Sequence, residues 1–202
     1  MEPYEIIGAP YEIWIANAGA SFPAIDDAPD GDVWTLLGTS GTRSMGDAGV
    51  TISHDQDINA WTPAGATGPV KAFRVSESLT FTVEIADMTL EMYREAMNRN
   101  SVTTTVPTST DGGFREIGLS RGLFITELCL LARGQGLSPY GTDMNAQYEV
   151  PRCYESGSPS PQFQKGEPAM LALEFTALED LATGIPESER FGRFVAQDTL
   201  PS

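Results

Sequence analysis

Four aspartates, Asp26, Asp27, Asp30 and Asp32, crowd around Gly31, and oxygen-rich runs of this kind are the stuff of calcium loops. The EF-hand spacing fails, however. Counting from Asp26 puts Ala28 at the third position and Leu37 where a bidentate glutamate is required, so the run reads as an exposed acidic turn. His54 with Asp55 and Asp57 is the one imidazole with carboxylate neighbours, yet a lone histidine offers one nitrogen ligand, and no serine elbow motif stands nearby. Glycoside hydrolysis needs two carboxylates facing each other across a sugar. The 28 acids allow many pairs, and no aromatic-lined setting singles one out. Gly134-Gln135-Gly136 lacks the rest of a dinucleotide fingerprint, and no Gly-Lys-Ser/Thr phosphate loop occurs. Cys129 and Cys153 read as buried free thiols. The residues point to no catalytic site, no cofactor and no metal.

The elements that would position such groups are mostly strands. Leu79, Phe81, Val83 and Ile85 alternate with Thr80, Thr82 and Glu84, the period of a strand with one buried face. At Asp87 the period becomes helical: Leu90, Tyr93 and Met97 share a face, Asp87 is the expected N-cap and Glu91 sits in the first turn. Leu171, Leu173, Phe175 and Ala177 repeat the strand pattern against Ala172, Glu174 and Thr176. Further strands are expected at Tyr11–Ile15, Trp34–Leu37, Gly49–Ser53, Val102–Val106, Leu123–Leu131 (buried on both faces) and Tyr148–Tyr154. Residues 54–69 show no sustained period and read as a long loop, residues 156–164 as a Ser/Pro/Gly connection, and residues 184–202 as an extension anchored by Phe191 and Phe194. Trp14 and Trp34 are expected in the core. Trp61, in the polar loop, needs a partner surface.

With 202 residues the chain fits a single domain, residues 1–202, large enough for a good-sized core. The start lacks the basic and apolar regions of a signal peptide, and no apolar run has the length of a membrane span. A soluble protein made in a cytoplasm is therefore expected. The formal net charge is −16, and residues 1–60 hold ten acids against one base, Arg43. With two lysines and no basic cluster, the chain is no gripper of DNA. The acidity serves solubility, or keeps a passing polyanion from sticking, or both.

Several short segments in order carry a resemblance: Tyr11-Glu12-Ile13-Trp14-Ile15-Ala16 with Phe22-Pro23, Asp32-Val33-Trp34-Thr35-Leu36-Leu37-Gly38, Gly49-Val50-Thr51-Ile52 and the strand-to-helix passage from Gly68 to Glu91. Leu131-Ala132-Arg133-Gly134, Ser138-Pro139-Tyr140, Val150-Pro151-Arg152, Gly166-Glu167-Pro168-Ala169 and Phe191-Gly192-Arg193-Phe194 continue it. Over nearly its whole length the chain resembles the major tail tube proteins of long-tailed bacteriophages, or of phage-tail-like particles such as gene transfer agents. The resemblance implies a mainly β fold, a β-sandwich with one principal α-helix. It also implies hexameric rings closed into a β-barrel and stacked into a tube through which DNA passes without specific binding. Tail-tip or baseplate, tape-measure and terminator proteins become the expected partners, and the virion tail, assembled in the host bacterial cytoplasm, the expected location. Leu79–Ile85 and Leu171–Ala177 are then expected as the poorly protected strand edges of a free subunit. The expected inter-ring stacking loop holds His54, Asp57, Ile58, Trp61 and Pro63; the lumen face would draw on Thr80, Thr82, Glu84, Glu174 and Thr176; Phe191 and Phe194 are the C-terminal anchors. Two other readings stand: a secreted tube subunit of a contractile injection system, and an acidic β-sandwich enzyme acting on carbohydrate.

Overall fold

Residues 2–200 are described by a computed structural model. Ten strands and one α-helix follow in chain order: β1 (Glu12–Asn17), β2 (Thr35–Leu36), β3 (Met45–Trp61), β4 (Lys71–Ile85), α1 (Leu90–Ala96), β5 (Val102–Thr105), β6 (Phe114–Ile117), β7 (Leu128–Gly134), β8 (Ala146–Glu155), β9 (Leu171–Ala177) and β10 (Arg193–Ala196). Eight of the strands form one antiparallel sheet in the order β2-β1-β7-β8-β9-β4-β3, with β10 paired to β8. β5 and β6 make a separate hairpin. The protein is therefore mainly β, with a single α-helix among the described residues.

The alternation in β4 and β9 builds the core. Leu79, Phe81, Val83 and Ile85 lie on one face beside Leu171, Leu173 and Phe175, all buried. Burying the four β4 side chains contributes roughly 6–12 kcal/mol before entropy is charged. β8 is long enough to serve two neighbours, β10 along its first half and β9 along its second. Its first half crosses the core face, because the Tyr148 ring stands 5.9 Å from that of Phe81 on β4 and 6.1 Å from that of Tyr11. Every residue of β7 is buried: Leu128, Leu130 and Ala132 face the main core, while Cys129 and Leu131 meet Ala16 and Trp34 under the segment that carries Phe22.

Several expectations are corrected. The helix cap is Thr89, whose hydroxyl accepts from the Met92 N–H; Asp87 instead accepts from the N–H groups of Thr39 and Thr89, tying the helix entrance to the β2 loop. The helix buries Met92 and Ala96 with Met97, and Leu90 is only half-buried, because the core lies one position round from the expected stripe. The strand expected from Leu123 begins only at Leu128, and Leu123–Ile125 stand in solvent. β4 and β9 are interior strands rather than edges, since β3 covers the far side of β4. The extension from residue 184 includes β10, and its last two residues, 201 and 202, lie outside the described residues. Within it Phe191 packs on the core and Phe194 lies 4.4 Å, centroid to centroid, from Tyr148.

Candidate functional site

The largest correction concerns residues 54–69. His54, Asp57, Ile58 and Trp61 belong to β3, which pairs with β4 without interruption from Val50 to Asp57 and, after a bulge, from Ile58 to Trp61. Only Thr62–Val70 connects the two strands, closed by the Val70 N–H to the Trp61 carbonyl at 3.0 Å; Pro63 starts this turn. Beyond His54 and Ser78 both strands leave the core, and nearly every residue is exposed. The result is a two-stranded arm of about 25 Å, from ~3.3 Å per residue over His54–Trp61. Ile58, Trp61, Val70, Phe73 and Val75 are at least half exposed on it. Arg74 braces the arm through Gln56 and Glu77, and Lys71 caps the Phe73 ring at 5.0 Å. Bare hairpins with large apolar side chains are marginal in water, and exposed apolar patches of this kind are the ones partners cover.

The five residues expected on a lumen face do share one face. In register across three strands, Thr51 stands beside Thr82 and Glu174, and Ser53 beside Thr80 and Thr176. Asp55 with Ser78 and Asp57 with Ser76 continue the same face outward. Along Thr51–Asp57, Ser76–Glu84 and Ala172–Thr176 this face carries Asp55, Asp57, Glu84 and Glu174 and no lysine or arginine. Ser156 donates to Glu174 at 3.0 Å and lies 2.8 Å from the Thr176 hydroxyl, fixing one side of it. Among the described residues the outer edge of β3, all 17 residues of it, has no strand beside it.

A cleft of about 330 Å³ lies between the end of α1, the 118–127 segment and the end of β8. Glu95 and Glu155 both reach it, and burial raises both carboxyls, that of Glu155 to about 7. Arg94 and Arg99 flank Glu95 at 3.3 and 3.1 Å, and Arg121 stands 3.7 Å from Glu155. Glu95 is flanked by two arginines of its own helix end, and Glu155 with Arg121 ties the 118–127 segment to β8, so the two do not present a pair of free carboxylates. Sequence reasoning missed this cluster, because Glu155 and Arg121 lie far from the Arg94–Arg99 stretch in the chain and none of them is flanked by a motif. A larger cleft of about 650 Å³ separates the arm base, with His54, Arg74 and Glu77, from Glu179, Arg190 and Phe191.

The other residues weighed for chemistry are spent on structure. Asp26 accepts from Gln197 at 2.6 Å, Asp30 turns back on the Asp32 N–H, and the Asp27 carbonyl takes a hydrogen bond from Arg133. Among the described residues no three His, Cys, Asp or Glu side chains converge to hold a metal. Cys129 and Cys153 are buried free thiols, each pushed up by desolvation. Among the same residues no helix is long and apolar enough to cross a membrane. No protein-family model matches the chain, and no curated protein matches it significantly.

Proposed function

We propose that the chain is the repeating, non-enzymatic subunit of a phage-type tail tube, a β-sandwich that joins copies of itself into hexameric rings and stacks the rings into a conduit for DNA. The observation that carries this reading is β3: a 17-residue strand with an unpaired outer edge that runs past the core as an exposed arm. A monomer pays for such an edge with a standing risk of aggregation, whereas closing it against the next subunit in a barrel removes the hazard. The six-fold ring and the tail-tip, tape-measure and terminator partners follow from the family resemblance, and the virion tail, built in a bacterial cytoplasm, is the corresponding location.

The polar face supports the same reading through its charge. Over Thr51–Asp57, Ser76–Glu84 and Ala172–Thr176 a wall with four acids and no base repels a duplex, and repulsion is what a conduit needs. Negative-stain microscopy of concentrated protein, with and without a tail-tip complex as initiator, tests the proposal. Rings or tubes of uniform diameter are expected. A protein that remains monomeric under both conditions counts decisively against it.

A further inference from the structure

The segment between β6 and β7 exposes Leu119, Leu123, Phe124 and Ile125, with Leu123 at 88% and Phe124 at 84% of their full accessibility. It is nonetheless held in one conformation. The Asn98 side-chain amide donates to the carbonyls of Arg121 and Phe124, both at 2.8 Å, and accepts from the Thr126 N–H at 2.7 Å. Asn100 donates to the carbonyls of Gly118 and Ser120 at 2.7 and 2.8 Å, and Arg121 to that of Gly157 at 2.9 Å. Asn98 and Arg99 both take left-handed backbone angles, φ +54° and +59°, to bring these amides to the segment. An apolar knob clamped this firmly loses little freedom on binding, which is the condition for an anchor in an interface.

We propose that this knob is the receiving surface for the β3–β4 arm of a second copy of the chain. The inference rests on the reading that copies associate through the arm, and it names what the arm meets. The arm and the knob are two different patches, each left in solvent by the single chain, so their pairing is head-to-tail and propagates from copy to copy. The area fits. Four side chains of this size, at ~150–250 Å² for the aromatic and somewhat less for the rest, expose on the order of 500 Å², more than half of the ~800 Å² that each side of a standard interface buries.

Cross-linking reads the contact directly. Chains carrying Ala60→Cys on the arm or Ser120→Cys beside the knob are mixed and treated with a short bismaleimide, both native thiols being buried. Arm-to-knob adducts are expected to exceed arm-to-arm and knob-to-knob adducts at least tenfold. Leu123→Asp with Phe124→Asp should lower their yield about 30-fold, the effect of removing a ~2 kcal/mol hot spot. Melting temperature checks the fold of that variant, and Leu123→Ser with Phe124→Ser replaces it if the charges disturb folding. Homotypic adducts in equal yield, or none while wild-type protein forms rings or tubes, overturn the inference and leave the tube reading standing. Arm-to-knob adducts in a protein that forms open chains without rings sink the tube reading and leave the inference. A wild-type protein that neither cross-links nor assembles overturns both.

Discussion

Single residues hold this fold together at points where the chain returns to itself from a distance. Arg133, on β7 and buried, donates to Gln147 of β8 and to the carbonyls of Ala24 and Asp27, while Gln147 donates to Glu149, which is paired with Arg193. A buried guanidinium is tolerable only when so fully bonded, and Arg133→Met is expected to destabilise by about 3 kcal/mol because it strands Gln147 and two carbonyls. Urea unfolding measures it. Glu155 acts in the opposite sense. Its side chain is 7% exposed, burial is the main cause of its raised pKa, Arg121 offsets it only in part, and the nearby Glu174 carboxylate raises it further. The folded protein thus holds this proton up to about pH 7 while the unfolded chain releases it near 4.5, so stability falls as pH rises through that window. Glu155→Gln is expected to flatten the slope and to stabilise at pH 8 by on the order of 1–2 kcal/mol. An unchanged melting profile between pH 5 and 8 sinks this prediction. Neither residue was marked in the sequence, since the groups that act on them, Ala24 and Asp27 on Arg133 and Arg121 and Glu174 on Glu155, come from separate parts of the chain.

Among the elements, legibility followed burial. β4 and β9 were readable to the residue over Leu79–Ile85 and Leu171–Ala177 because one face is buried and the other is not, which prints a period of two. The arm carries no such imprint. Neither of its faces is buried, so His54-Asp55-Gln56-Asp57 looks like loop although hydrogen bonds to β4 hold it extended. Leu123–Leu131 misleads in the reverse direction: its apolar residues, interrupted by Thr126 and Glu127, look like one buried strand, but the first of them are held outside by Asn98. Limited proteolysis separates the two views of the arm. Cleavage of free protein is expected only within Thr62–Pro69, with the paired strands on either side resisting, and cuts spread evenly from His54 onward would show that the hairpin does not persist. Trp61 is 56% exposed near the arm tip. Trp61→Ala should therefore change monomer stability by no more than ~0.5 kcal/mol while slowing assembly severalfold by light scattering. A large drop in melting temperature would place the ring in an intramolecular contact instead.

For the whole molecule the tube proposal turns on how charge is distributed over the sheet, because a tube would repeat it in every subunit. A lysine on the wall of a conduit appears in every copy, and a single basic module already binds duplex non-specifically with a Kd of roughly 10⁻⁴–10⁻⁶ M. Rings in series would multiply that hold, and passage would stall. Over Thr51–Asp57, Ser76–Glu84 and Ala172–Thr176 the polar face carries Asp55, Asp57, Glu84 and Glu174 and no base, as the proposed wall requires. Of the four, Glu174 is bonded to Ser156, so changing it also disturbs the β8–β9 junction, whereas Glu84 is exposed and tests charge with less disturbance. Glu84→Lys combined with Asp55→Lys should leave tubes of normal length yet slow DNA ejection, and the defect should ease as salt screens the contact over a Debye length of ~10 Å at 0.1 M. Ejection timed on assembled particles at two salt concentrations gives the answer. Normal kinetics in intact mutant tails would move the DNA path off this face and assign its acidity to solubility alone.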